Sequence, residues 1–96
     1  MDAMLYTRAA ALLEAEVDGE IVALDREQGV VLGFNGVASD VWRLLEQPRS
    51  LDELVAALGE RYEVDDAQCR TEIAALLDRL SELNLVRRAS GLHAKP

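Results

Sequence analysis

Short apolar runs separated by turn residues make up the first third of the chain. Asp18-Gly19 is a strong two-residue hairpin signal, and residues 21–24 beyond it have the apolar, β-branched character of a strand. A hairpin needs a strand before its turn, so residues 10–17 are interpreted as that strand, although alanine and leucine favour helix. After a second turn, residues 30–34 (VVLGF) predict a third strand. Strands joined by short loops normally pair antiparallel, so the pattern predicts a three-stranded meander.

Helical spacing replaces this pattern from residue 36 onward, where apolar residues recur three and four positions apart. Asn35 is the predicted N-cap of the first helix. Ser50 and Glu53 match a capping box that opens the second helix. Asn84 suits the left-handed position that follows the third helix. The pattern therefore predicts three helices, over residues 36–46, 51–63 and 66–83.

The order of these elements, three strands and then three helices, is that of an α+β domain of the winged helix-turn-helix type. We therefore expect a three-stranded antiparallel sheet followed by three helices. All 96 residues are assigned to a single domain. Its ordered core is expected to span residues 8–87, with a frayed start and a disordered C-terminal tail at residues 88–96.

Composition narrows the class of protein. Hydrophobic residues make up 50% of the chain, and the formal net charge is −8, which opposes binding to the phosphates of nucleic acid. No apolar run reaches the roughly 18 residues of a membrane span, and the N-terminus lacks the features of a secretory signal. The single cysteine excludes an internal disulfide and suits a reducing compartment. We therefore expect a small acidic module of the cytoplasm that makes no membrane contact.

Candidate catalytic and metal-binding residues are few. His93 lies in the expected tail, and Cys69 lies on the apolar stripe of the third helix, where cysteine usually acts as a small buried hydrophobe. One cysteine and one histidine do not make a metal-ligand cluster. The acidic pairs Asp52-Glu53 and Asp65-Asp66 stand at helix N-termini, where capping and the helix dipole account for them. We therefore expect no enzyme activity, no metal and no cofactor.

A winged helix-turn-helix domain raises the alternative of a DNA-binding regulator, whose third helix would enter the major groove. That helix carries two arginines against four acidic residues, a net charge of −2. Phosphates would repel such a helix, and the three basic residues near the C-terminus are too few to reverse the balance. The class of function that remains is recognition of a peptide or a protein.

The strand at residues 30–34 allows two interpretations. As the last strand of the sheet it can leave one edge unpaired, and such an edge offers N–H and C=O groups to an extended peptide. Alternatively, it is an ordinary core strand whose edge is covered by the third helix or by a second copy of the chain. Periodicity does not distinguish the two.

Several segments taken together resemble the PqqD-like family. The match covers roughly residues 19–87, and the order and spacing of its segments are more specific than any one of them. The strand and Asn35 resemble that family's third strand and its "LN" signature. The other matching segments are residues 37–45 (VASDVWRLL) for the first helix, 51–55 (LDELV) for the second helix, 61–64 (RYEV) for the linker, and 72–86 with its final LNLV for the third helix.

This resemblance implies a RiPP recognition element, a small domain that binds the leader segment of a ribosomally synthesised precursor peptide. In the family, the leader adds antiparallel to the third strand and lies in the groove between that strand and the third helix. The second implied partner is a modifying enzyme or leader peptidase of the same pathway, for example in a lasso-peptide cluster. The implied peptide-binding residues of the strand are Val30, Val31, Leu32, Gly33 and Phe34, whose backbone would supply the hydrogen bonds to the leader. Those of the third helix are Arg70, Ile73, Ala74 and Leu77.

Two features depart from the family pattern. Gly33 stands where members often have a larger residue, and glycine weakens a strand while letting another backbone approach closely. The alanine-rich first strand is also matched poorly.

If the N–H of Leu32 pairs with the leader, a proline at that position should abolish binding. Pairing of the edge with itself to form a homodimer, or swapping of the N-terminal hairpin, would be the competing outcome.

Overall fold

The computed structural model describes residues 4–9 and 11–90, which fold as an antiparallel meander, three helices and a second small sheet. The α+β architecture of winged helix-turn-helix type is thereby confirmed. In chain order the elements are β1 (Met4–Arg8), β2 (Leu13–Val17), β3 (Glu20–Asp25), β4 (Val30–Gly33), α1 (Gly36–Leu44), β5 (Arg49–Ser50), α2 (Leu51–Arg61), α3 (Asp66–Glu82) and β6 (Val86–Ser90).

The meander has the strand order β2-β3-β4, with both pairs antiparallel, as the turn signals predict. Asp18 and Gly19 have φ values of 54° and 84°, so both central residues of the hairpin turn lie in the left-handed region that a type I′ turn requires. Gly29 ends the second turn at φ 69°. Local turn chemistry therefore determines the register of this sheet.

A second sheet, of order β5-β1-β6, joins the two ends of the described chain. Its strands β1 and β6 pair over five residues, from Met4 opposite Ser90 to Arg8 opposite Val86. The prediction of a frayed start and of a disordered tail was therefore wrong for these two segments, and the expected ordered core of residues 8–87 was too short. Residues 1–3, residue 10 and residues 91–96, including His93, lie outside the described residues.

The helices begin at the predicted caps. The Asn35 side chain accepts a hydrogen bond from the Ala38 N–H at 2.9 Å, and Ser50 and Glu53 form both hydrogen bonds of a capping box. Helices α1 and α2 each end two residues earlier than predicted, and α3 ends one residue earlier. Asn84 lies at φ 62°, in the left-handed position predicted for it.

Trp42 of α1 is the centre of the core and is fully buried. Its ring lies 5.7 Å from that of Phe34, between centroids, and the Arg8 guanidinium stacks 4.4 Å from its centroid. The indole N–H donates to Glu14 Oε2 at 2.7 Å, so the polar tip of the ring is also satisfied. The other large apolar side chains that are fully buried are Val41, Leu45, Leu54, Ile73, Leu77 and Leu85.

Strand β2 directs its carboxylates towards α1. Glu14 accepts from the Trp42 indole, and Glu16 pairs with Arg43 at 3.3 Å. Because side chains alternate along a strand, Leu13 and Val17 lie on the opposite face, where both are more than half exposed. The outer face of the meander is therefore apolar and open, while its inner face packs on the helices.

Ser39 of α1 marks the point where β4 leaves the sheet. Its buried Oγ accepts a hydrogen bond from the Ile21 N–H at 2.9 Å and donates one to the Phe34 C=O at 3.1 Å. The hydroxyl thus takes the place of a direct hydrogen bond between the two strands. The Phe34 N–H still donates directly to the Ile21 C=O at 2.9 Å.

Ser39→Ala is expected to lower the free energy of unfolding by about 2 kcal/mol, because it leaves a buried N–H and a buried C=O without their partner. Urea denaturation measures this loss. Ser81→Ala is the matched control, since within the described residues the buried Oγ of Ser81 has no hydrogen-bond partner. That variant should lose no stability, because it removes a buried hydroxyl that has no partner to lose. Equal losses in the two variants would contradict the role assigned to the Ser39 hydroxyl.

Candidate peptide-binding site

Strand β4 is an edge strand of the meander, with β3 on one side and no strand on the other within the described part of the chain. Its four residues are exposed or half-buried, and Val31 is 68% exposed. An edge strand presents a row of N–H and C=O groups to which an extended segment can pair. The open edge that the sequence left undecided is therefore present in the structure.

The register of β3 and β4 determines which of these backbone groups point outward. Hydrogen-bonded and non-hydrogen-bonded pairs alternate along an antiparallel ladder. The Phe34 N–H bonds to the Ile21 C=O, and the register continues with Leu32 opposite Ala23 two residues earlier. Leu32 therefore points its N–H and C=O towards β3. The outward groups are those of Val31 and Gly33, and the expectation of outward hydrogen bonds from the whole run of residues 30–34 is corrected to these two residues.

This assignment also changes the consequence of a proline at Leu32. The Leu32 N–H belongs to the ladder with β3, so a proline there would break the sheet rather than the outer edge. Val31 is the position where proline removes an outward N–H. Its side chain lies on the open outer face of the meander, where it contributes little to the core.

A cleft of about 440 Å³ lies just beyond the end of β4, where Asn35 and the start of α1 face α3. Its apolar floor comes from both sides, and its two ends carry opposite charges. The lining residues are Asn35, Val37 and Ala38 on one side, and Glu72, Ala75, Leu76 and Arg79 on the other.

Helix α3 runs antiparallel to β4. The Gln28 side chain, two residues before β4, donates from Nε2 to the Leu83 C=O at the C-terminal end of α3, at 3.1 Å. At the other end of the strand, Val37, four residues after β4, lines a small pocket with Cys69 and Glu72 that does not include Arg79. Arg79 therefore lies towards the beginning of β4, and Glu72 lies towards its end.

Three predicted site residues are buried in the core. Ile73 is 0% exposed and Leu77 is 1% exposed, because they belong to the stripe of α3 that packs on the other helices. Phe34 is 7% exposed and packs against Trp42. Their side chains do not line the cleft.

Arg70 and Ala74 lie on another side of α3. The Arg70 guanidinium pairs with Asp52 of α2 at 2.7 Å, and Ala74 follows one turn later on the same side of the helix. Neither residue lines the cleft, so the face of α3 that lines the cleft differs from the predicted one. The peptide-binding role of the nine predicted residues stays a prediction.

The cleft residues of α3 were missed by the sequence reasoning, although a signal for them exists. Glu72, Ala75, Leu76 and Arg79 have the i, i+3, i+4, i+7 spacing of a single helix face. The leucine-rich stripe beside them is more conspicuous, but a groove is lined by the margin of such a stripe rather than by its buried centre.

Cys69 and Tyr62 have raised pKa values, each for a different reason. Burial raises the pKa of the Cys69 thiol, and the nearby carboxylates of Asp66 and Glu72 add to the effect. The thiol is thus kept protonated, and its nucleophilicity is low. A hydrogen bond to the Asp40 carboxylate raises the pKa of Tyr62, with burial as the second cause. The Tyr62 hydroxyl has a structural partner in Asp40, the Cys69 thiol is buried in the core, and neither group lines the cleft beside β4.

The described residues form neither a metal-ligand cluster nor a membrane-spanning helix. Between positions 4 and 90, leaving aside residue 10, no three His, Cys, Asp or Glu side chains are grouped so that they could hold a metal ion. None of the helices described is both long and apolar enough to cross a membrane.

Comparison with known proteins decides the family. The family model described as coenzyme PQQ synthesis protein D (PqqD) matches residues 20–86, well over half of the chain. The chain belongs to the PqqD family. The resemblance noted in the sequence is thereby confirmed.

Among solved structures, this PqqD-family chain is similar to TbiB1 in complex with the TbiA(beta) leader peptide. The two share 28% sequence identity, and the match covers 93% of this chain and 99% of that chain with a TM-score of 0.75. A comparison with curated protein sequences found no match. The fold of the PqqD-family chain is thus that of a protein whose structure contains a leader peptide.

Proposed function

We propose that this PqqD-family chain binds the leader segment of a ribosomally synthesised precursor peptide and presents it to a modifying enzyme or leader peptidase. The observation that carries the proposal is the free edge of β4 next to a cleft that is apolar in its middle. The similarity to TbiB1, whose structure contains a leader peptide, supports the same ligand class. The role would be exercised in the cytoplasm, where ribosomal precursors are made.

The leader would bind as an added strand antiparallel to β4. Val31 and Gly33 together supply two outward N–H and two outward C=O groups, so the ladder can comprise up to four hydrogen bonds. Backbone pairing of this kind is independent of side chains and therefore gives affinity rather than specificity. Specificity has to come from the side chains that flank the edge.

The side chains of the leader would alternate between the two faces of the extended sheet. Residues opposite Val31 and Gly33 would lie on the outer face, and the residue opposite Leu32 would lie on the inner face. The inner face is the one that faces α3, where Leu76 and Ala75 line the cleft. An apolar side chain at that position would be buried against them. A few such anchors and four backbone bonds are consistent with micromolar affinity, about −8 kcal/mol.

The chain would act as a carrier of the leader and not as a catalyst. A carrier needs an edge and a cleft, whereas catalysis needs a positioned nucleophile or base. Cys69 is buried and protonated, which supports the non-catalytic role. The DNA-binding alternative is not favoured, since the exposed surface of α3 includes the carboxylates of Glu72, Asp78 and Glu82.

Fluorescence anisotropy with a labelled synthetic leader tests the proposal. The peptide is the leader of the precursor encoded beside this chain, and the control is a scrambled peptide of the same composition. We expect saturable binding with a Kd in the micromolar range or tighter for the leader alone. No binding at tens of micromolar would contradict the proposed function. Sedimentation of the chain without peptide would reveal the competing homodimer, which would occupy the same edge.

A further inference from the structure

The cleft beside β4 is apolar in the middle and oppositely charged at its ends. Leu76 and Ala75 lie between Glu72 and Arg79 on one face of α3, and Val37 faces them from α1. Glu72 accepts a hydrogen bond from the Gln68 side chain at 3.1 Å, which leaves its second carboxylate oxygen for a ligand. Arg79 is exposed and forms no ion pair with the described residues. A ligand that crosses the cleft therefore meets a negative end and a positive end.

The spacing of these charges fits the repeat of an extended peptide. Arg79 follows Glu72 by seven residues, which is about 10 Å along a helix at 1.5 Å per residue. Side chains on one face of a strand recur every two residues, or about 6.6 Å. Three successive inner side chains of a bound strand span about 13 Å, and long charged side chains readily bridge the difference of a few ångströms. One inner side chain would therefore face each of the three parts of the cleft.

The direction of the bound strand determines the order of its charges. Helix α3 runs antiparallel to β4, with Glu72 towards the end of the strand and Arg79 towards its beginning. A peptide paired antiparallel to β4 runs parallel to α3. From its N- to its C-terminus such a peptide would therefore pass Glu72 first, Leu76 next and Arg79 last, because these residues follow one another along α3.

We infer that the cleft selects a leader with a basic, an apolar and an acidic side chain at alternate positions, in that order from N- to C-terminus. The inference rests on the proposed function, because the direction of the strand follows from antiparallel addition to β4. Glu72 and Arg79 are its specificity-determining residues. They recognise the basic and the acidic side chain by charge, and Leu76 buries the apolar one between them.

A rival explanation makes a different prediction. The chain has a net charge of −8, so its whole surface attracts a basic peptide whatever the order of its residues. An attraction of that kind depends on the net charge of the peptide alone. Two peptides with identical composition and exchanged charges separate the two explanations, since only an ordered cleft distinguishes them.

The test compares the synthetic leader of the precursor encoded beside this chain with an isomer in which its basic and acidic inner residues are exchanged. We expect the isomer to bind the unaltered chain at least about tenfold more weakly at 0.1 M salt, with a smaller difference at 1 M salt. A protein carrying both Glu72→Arg and Arg79→Glu should reverse the preference. Asp78→Lys is the matched control on α3, since Asp78 is exposed and does not line the cleft.

The possible results distinguish failure of the proposed charge order from failure of leader binding itself. Equal affinity for the two isomers, a leader without this order of residues, or an equal effect of Asp78→Lys would overturn the charge order while leaving leader binding intact. Absence of binding by the leader and by its isomer would instead contradict the proposed function. The isomer comparison uses the unaltered chain, so it decides the question even if the doubly substituted protein does not fold.

Discussion

Val31→Pro is expected to weaken leader binding about 5- to 150-fold while the protein remains folded. The substitution removes an outward N–H of β4, so a C=O of the leader loses its partner at a cost of about 1–3 kcal/mol. Proline is tolerated in an edge strand when its nitrogen faces solvent, which is the situation of Val31 in the free protein. Fluorescence anisotropy with the labelled leader measures the loss of affinity, and far-UV circular dichroism checks the fold.

Two neighbouring variants serve as controls for this experiment. Val31→Thr keeps the N–H and the β-branched shape, and it should bind the leader within about threefold of the unaltered chain because its side chain lies on the outer face. Leu32→Pro removes an N–H of the ladder with β3 and should destabilise the protein itself. Undiminished affinity in a folded Val31→Pro variant would place the leader at another surface.

Trp42→Ala is expected to cause the largest loss of stability, about 3–5 kcal/mol. The ring is fully buried and contacts Phe34, while Arg8 stacks on it and Glu14 accepts from its N–H. A domain of this size has a free energy of unfolding of about 5–15 kcal/mol, so the substitution removes a large share of it. Urea denaturation followed by far-UV circular dichroism is the measurement, because the chain contains no other tryptophan.

Trp42→Phe separates the contribution of ring packing from that of the indole hydrogen bond. A phenyl ring retains much of the contact with Phe34 but cannot donate to Glu14, so we expect a smaller loss than for alanine, about 1–3 kcal/mol. Losses below about 1 kcal/mol for Trp42→Ala would show that the core is organised around other side chains. The leader should still bind to either variant under conditions where that variant is folded, because the ring is not exposed at the cleft.

The meander and the helices could be predicted because their signals are local. Asp18 and Gly19 adopt the positive φ values of a tight hairpin turn, and Ser50 and Glu53 close a capping box within a single turn of helix. These signals involve residues no more than a few positions apart. These local structures form without help from tertiary contacts, so the sequence alone predicts them.

The second sheet could not be predicted in the same way. Strands β1 and β6 pair residues that are more than 75 positions apart, with Met4 opposite Ser90. Neither segment has an alternating pattern strong enough to be assigned alone, and each resembles a loose terminus. Only the compact fold brings the two together, and the hydrogen bonds that they exchange convert both into strands.

The candidate site shows the same difference between what local patterns predict and what only the tertiary structure decides. The sequence and the family resemblance located the run of residues 30–34 and the third helix as the two walls of a groove. The register of β3 and β4 then decided that Val31 and Gly33 face outward, and the rotation of α3 decided that Leu76 rather than Ile73 faces the cleft. A shift of one residue along a strand reverses the direction in which the backbone N–H and C=O groups point. A shift of one residue along a helix rotates the side chain by about 100° around the helix axis and so changes the face on which it lies.

By itself, the sequence therefore determined the strands of the meander, the three helices with their caps and turns, and the family, because each depends on short-range patterns or on the order of such patterns. Tertiary structure alone decided which backbone groups of β4 are free, which face of α3 lines the cleft, and that the two ends of the described chain form a sheet. Those properties depend on how elements are rotated and placed against one another. That placement is a property of the whole core around Trp42, not of any segment.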